Sequence, residues 1–356
     1  MSKSRITAAA ISVAAVTFLY GPASAASSRL SDQLTSTPVE LLDNSRPAFI
    51  KSIRAELNRS HFAALDAVSE DLLRTKARFP GGAWKLAAFY EALGDPSDRG
   101  TASEEDWQKH LLLLRVWKVQ RRQSAASAIG LGVAWRNYAW VARGSGRSTT
   151  VTDEGQKLFK ERLNLASKAL TDAKPIASRN PHWHSALLAV ALGQGWSRPG
   201  FEALFEEGVA LEPLYTPLYT RMATYLLPRW YGEEGDWERF AGEATTRVGG
   251  RQGSALYSYI AAHISELFRG DAFFKENNVS WPRIRQAFID REALYGVSID
   301  SLNRYALMAG NANDRRTSRP LFVRIGEAWD SEVWEERTRF DKYRLWAMRE
   351  CGGCTQ

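Results

Sequence analysis

Residues 180–227 read NPHWHSALLAVALGQGWSRPGFEALFEEGVALEPLYTPLYTRMATYLL, and this stretch decides the fold. Asn180-Pro181 opens a segment in which Trp183, Leu187, Leu188, Val190 and Leu192 recur at helical spacing. Phe201, Leu204, Phe205, Val209 and Leu211 repeat the pattern, and Glu212-Pro213 opens a third segment with Leu214, Leu218, Met222, Tyr225 and Leu226. Apolar residues three and four apart share one face of a helix. A proline fits the first helical turn, where its missing N–H is not needed. Pro181 and Pro213 stand 32 residues apart, so the repeating unit is a helical hairpin.

The same spacing extends in both directions. Towards the N-terminus it runs through Ile50, Ile53, Leu57, Phe62, Leu65, Val68, Leu72 and Leu73, one or two helices ended by Pro80-Gly81-Gly82. A short helix follows over residues 83–93. Ser103 ahead of Glu104-Glu105-Asp106 has N-cap chemistry and opens a helix through Trp107, Leu111, Leu114 and Trp117. Residues 124–141 are small and apolar, with Ala126, Ala128, Gly130, Gly132 and Ala134 permitting close helix approach. Another helix starts at Thr152. Beyond residue 237 the pattern predicts helices over 237–248, 255–268, from Trp281-Pro282 onward, and over 301–308, 319–325 and 332–348. No segment alternates with a period of two. The expected fold class is all-α, built as stacked helical hairpins in a single domain over residues 47–350.

Ahead of that domain, Lys3 and Arg5 precede an apolar run over residues 6–20, then Gly21-Pro22 and the small-x-small site Ala23-Ser24-Ala25. This is the pattern of a secretory signal over residues 1–25, followed by a polar, mobile leader over 26–46. It predicts a periplasmic or secreted protein with no membrane-spanning segment after cleavage. The net charge is +7, of which Lys3 and Arg5 supply two. Basic residues are scattered and pair only at Arg121-Arg122 and Arg315-Arg316, which speaks against a nucleic-acid track.

Phe205, Gly208 and Pro213 fall where tetratricopeptide repeats place an aromatic, a small residue and the closing proline; Tyr219, Met222 and Ala223 fit the start of the next unit. Phe201 stands where a small residue is usual. The chain therefore resembles a tetratricopeptide-like α-solenoid, whose period is about 34 residues. More specifically it is similar to the bacterial exported family described as domain of unknown function 4034. The similarity rests on Trp140-Val141-Ala142-Arg143-Gly144, Leu227-Pro228-Arg229-Trp230-Tyr231-Gly232, Trp281-Pro282-Arg283-Ile284-Arg285-Gln286-Ala287-Phe288, and Ala309-Gly310-Asn311 with Trp334 and Trp346-Ala347. Tyr231 occupies a place where glycine is usual. The resemblance implies helical hairpins and carries no reaction, cofactor or catalytic residue.

The loop LPRWYGEEGDW over residues 227–237 interrupts the repeat with rings, one arginine and three carboxylates. Two readings stand side by side. Arg229, Trp230, Tyr231, Glu233 and Trp237, with Arg143 from its own glycine-marked turn, form a recognition surface for a protein, a peptide or a sugar chain. Alternatively, they are an arginine–tryptophan stack that closes a hairpin. The expected function is a protein- or peptide-binding scaffold in the cell envelope. The alternative is a glycan-binding or glycan-cleaving protein in which Glu233, Glu234 or Asp236 supplies a carboxylate pair. No cofactor, catalytic residue or metal site is assigned. His182 and His184 are two residues apart and project differently, unlike the four-residue spacing of a zinc-binding helix. Cys351 and Cys354 suit a local disulfide in an oxidising compartment; Thr355 stands where a c-type haem site needs histidine.

Overall fold

A computed structural model describes residues 45–97, 102–144 and 151–349. The expected signal peptide and the cysteine pair Cys351 and Cys354 lie outside the described residues. Ser45 and Arg46, expected at the end of the leader, open the first helix. The chain forms α1 (Ser45–Asn58), α2 (Phe62–Thr75), a 3-10 turn (Pro80–Gly82), α3 (Lys85–Gly94), α4 (Glu104–Gln120), α5 (Ala125–Arg143) and α6 (Asp153–Ala177). There follow α7 (Pro181–Gln194), α8 (Arg198–Leu211), α9 (Thr216–Tyr225), α10 (Asp236–Val248), α11 (Gly250–Ser265), α12 (Ala272–Glu276) and α13 (Trp281–Tyr295). The last are α14 (Ile299–Asn311), α15 (Arg315–Ile325), α16 (Ser331–Trp334) and α17 (Arg337–Met348). Among the described residues no strand forms; Arg78 and Trp84 make a lone bridge. The fold is all-α.

The helix starts follow the sequence chemistry. Ser103 accepts from the Asp106 N–H while the Asp106 carboxylate accepts from the Ser103 N–H, a reciprocal capping box. Asn180 caps α7 by accepting from the His182 N–H, with Pro181 in the first turn. Two departures stand out. Residues 332–348, read as one helix, break at Glu335, which takes φ 65° and separates α16 from α17. The break lets Trp334 turn fully inward and donate from Nε1 to Asn303 Oδ1 at 2.7 Å. The five-residue α12 escaped the sequence, being too short to show a period.

Two rows of helices result. Helices α5, α7, α9, α11 and α14 lie side by side as an inner row, and α6, α8, α10, α13 and α15 pack between or behind them. Close approach is built in at Gly132, where a Cβ would lie 2.5 Å from Leu170 Cγ of α6. Helix α3 packs across α5 and reaches α7. Trp107, Trp117, Trp183, Trp237 and Trp334 are enclosed to 1% exposure or less. Each such ring stabilises the core by about 2–3 kcal/mol.

The Pro80–Gly82 turn, read from sequence as a helix stop, is also a clamp. It reaches across the array to α11 and α13: the Tyr259 hydroxyl and the Arg291 Nε–H both donate to Gly81 O, each at 2.7 Å. Beside it, Trp84 Nε1–H and Arg78 Nη2–H donate to Leu214 O at 2.9 and 3.2 Å. The Arg78 guanidinium lies between the rings of Trp84 and Tyr295. Lys76 pairs with buried Glu212 at 2.7 Å. The N-terminal helices are thus tied to the middle and the end of the chain.

Among the described residues, no helix is long and apolar enough to cross a membrane.

Candidate functional site

The loop between α9 and α10 is fixed by its own backbone. Leu226 N–H closes onto Met222 O, Trp230 N–H onto Leu227 O at 2.8 Å, and Tyr231 N–H onto Tyr225 O at 3.1 Å. Gly232 lies so close to Leu226 that a Cβ there would run into its carbonyl and sit 2.6 Å from its Cα. Only glycine fits that crossing.

On this frame the sequence-predicted residues divide. Trp230 is part-buried, its ring meeting Trp140 of α5 edge to face at 6.0 Å. The Arg143 guanidinium lies 5.2 Å from the centre of the same Trp140 ring. Arg143, Trp140, Trp230 and Tyr231 are therefore brought together, although Arg143 and Tyr231 stand far apart in sequence. Tyr231 stacks on Tyr225 at 5.0 Å and donates from its hydroxyl to Leu192 O at 3.1 Å, leaving 42% of the residue exposed. Among the described residues it is the one exposed Phe, Tyr or Trp; the others are at least partly buried, including all 13 tryptophans. Arg229, Glu233 and Glu234 are exposed beside it. Arg229 reaches Leu267 O only at 3.4 Å.

Trp237 does not join this surface. It is 1% exposed, its ring packs on Phe273 at 5.9 Å, and its Nε1–H donates to Asn277 Oδ1 at 2.9 Å. As the second residue of α10 it turns inward, so the contact role expected for it gives way to a packing role. Asp236 is likewise enclosed. It pairs with Arg198 at 2.8 Å and with Arg239, and it accepts from the Glu233 N–H at 3.1 Å. Burial alone would raise its pKa, but the Glu233 amide and the two guanidiniums hold it below the usual carboxylate range. An anion so held is a poor proton donor. Of the three loop carboxylates, Glu233 and Glu234 alone face solvent.

A cleft of about 790 Å³ lies elsewhere, between α1, α3 and the start of α14. Two of its carboxylates are held in ion pairs, Glu91 with Arg46 at 2.6 Å and Asp300 with Arg304 at 2.7 Å. No group of three or more His, Cys, Asp or Glu side chains is placed to hold a metal among the described residues.

A second polar cluster was not singled out by the sequence. Arg136 of α5 and Arg221 of α9 lie on the inner row, near His182 at the start of α7 and Tyr215 ahead of α9. The signal was present but quiet: Arg221 shares helical spacing with Leu218 and Tyr225, which places a charge on a face of buried residues. His182 Nδ1 is 2.7 Å from the Tyr215 hydroxyl, and its ring stacks on Tyr90 at 4.4 Å.

No protein-family model, curated protein or solved structure matches the chain significantly.

Proposed function

We propose that this is an exported helical-repeat protein that works by binding, as a scaffold for a protein or peptide partner in the cell envelope. The reading keeps the kinship with the tetratricopeptide-like exported family suggested by the sequence motifs. The observation that carries it is Tyr231, an exposed ring held rigid by a stack, a hydroxyl bond and a glycine crossing, with charged side chains on either side. A side chain fixed before contact loses little conformational freedom when a partner arrives, and tyrosine suits such sites. Arg229, Glu233 and Arg143 set orientation around it, with Trp230 as its support.

The test is capture from intact envelopes after cross-linking, with wild type beside an Arg229→Glu, Glu233→Lys double variant. Both positions are exposed, so the fold is expected to hold within about 0.5 kcal/mol per substitution. Reversing two charges at a contact places like charges together and weakens a specific partner by about tenfold or more. A discrete protein lost from the variant supports the scaffold. Unchanged capture removes the loop from the contact, and enrichment of glycan without protein favours a sugar-binding role for the same ring.

A further inference from the structure

Arg136 of α5 and Arg221 of α9 flank α7 in the inner row, both near His182 at its start, and neither forms a hydrogen bond or ion pair among the described residues. The Nε of each is shut off from solvent and has no partner. Both side chains nevertheless keep part of their surface accessible, which leaves a way in. Elsewhere in the inner row, charge is answered by charge: Arg304 of α14 is held by Asp300 and Glu266. Among the described residues no carboxylate comes within ion-pair distance of Arg136 or Arg221. A guanidinium keeps its proton under all ordinary conditions, so it cannot relieve burial by becoming neutral.

The surroundings carry the mark of that positive field. Burial, then the charges of Arg221 and Arg136, push the His182 imidazole down to about 3. Burial, then Arg221, Arg304 and Arg229, push His263 down to about 3. Both rings are neutral at pH 7, so each offers one N–H without adding charge. At His263 the arrangement can be read further. Thr224 uses its hydroxyl proton on Thr220 O at 2.8 Å, so it accepts from the His263 Nε2–H at 2.9 Å. Tyr215 and His182 are fixed by their mutual bond, and Asn180 donates to the Tyr90 hydroxyl at 2.8 Å. These neighbours are neutral and anchored.

We propose that Arg136 and Arg221 are the two arms of an oxyanion site that takes a phosphate-class dianion, free or as the head of a phosphate monoester. Two forked cations, part-buried and without counter-charge among the described residues, match a doubly charged oxyanion in both charge and hydrogen-bond geometry. Tyr215, bonded to His182, stands near Arg221 as a neutral neighbour. The site is separate from the Tyr231 loop and does not rest on the scaffold reading.

The experiment is thermal denaturation and titration calorimetry of the exported chain with inorganic phosphate, against chloride at matched ionic strength. Wild type is compared with Arg136→Gln and Arg221→Gln, and glycerol phosphate serves as the monoester probe. Wild type is expected to melt higher as phosphate rises, because a ligand that binds only the folded state stabilises it by mass action. Either substitution is expected to weaken phosphate by about 10- to 100-fold, the value of a charge-assisted contact. In phosphate-free buffer the variants should melt no lower than wild type, since each loses an unanswered buried charge. Tighter binding of the monoester identifies a head group, and tighter inorganic phosphate a free ion; both support the site. A phosphate effect equal to that of chloride overturns the proposal, as do an unchanged effect in the variants or variants that melt lower without phosphate.

Discussion

Trp237→Ala is expected to lower unfolding free energy by about 3–5 kcal/mol, the usual cost of removing a fully buried tryptophan. The ring lies against Phe273, and its N–H is satisfied by Asn277, which would be left without a donor. That orphaned acceptor adds to the cavity, because Asn277 is itself only partly exposed. Urea unfolding followed by far-ultraviolet circular dichroism measures the loss. The result separates the two roles that the sequence merged at residues 227–237. A change of under about 1 kcal/mol would mean that the ring is not enclosed. Tyr231→Ala, at an exposed position, is the natural control.

The clamp at Gly82 carries the second large effect. Gly82 has φ +81°, where an L side chain is strained, and a Cβ there would run into the Tyr259 hydroxyl and lie 2.6 Å from Tyr295 Cδ2. Alanine costs about 1–2 kcal/mol for the left-handed backbone. A further ~1 kcal/mol goes if Tyr259 must release Gly81 O. Gly82→Ala is therefore expected to destabilise by about 2–3 kcal/mol. The loss should appear first in α1–α3, whose tie to α11 and α13 passes through this turn. Hydrogen exchange that speeds up in α1–α3 before the rest of the chain is the expected signature. Uniform acceleration across all helices would instead mean that the clamp and the array unfold as one unit.

The fold was legible in the sequence where local chemistry decides it. Asn180-Pro181, Ser103 with Asp106, and the three-and-four spacing around Leu187 and Phe205 each settle a helix within a few residues. What crosses the chain was not legible. Pro80-Gly81-Gly82 is a helix stop by local rules, and nothing nearby announces that Gly81 O will be held by Tyr259 and Arg291. The broken helix at Glu335 has the same cause: the packing of Trp334 on Asn303 overrides a continuous helical pattern.

The loop was half legible. Composition marked it as unusual, and the structure does join Arg143 to Trp230 through Trp140. Composition could not say which rings face outward, because Trp237 turns inward from the first turn of α10 while Tyr231 stands on the loop ahead of it. The inner arginines were masked differently: a lone charge in an apolar stripe reads as a solvated exception until its neighbours are known.

The measurement that bears most directly on the proposed binding role is site-specific photo-cross-linking in intact cells. A benzophenone side chain placed at Tyr231 is compared with one at Leu345, which is 66% exposed on α17. The account predicts a discrete protein adduct from position 231 that is absent from 345 and lost when Arg229 and Glu233 are reversed. Equal adducts from both positions, or none from 231, would contradict it.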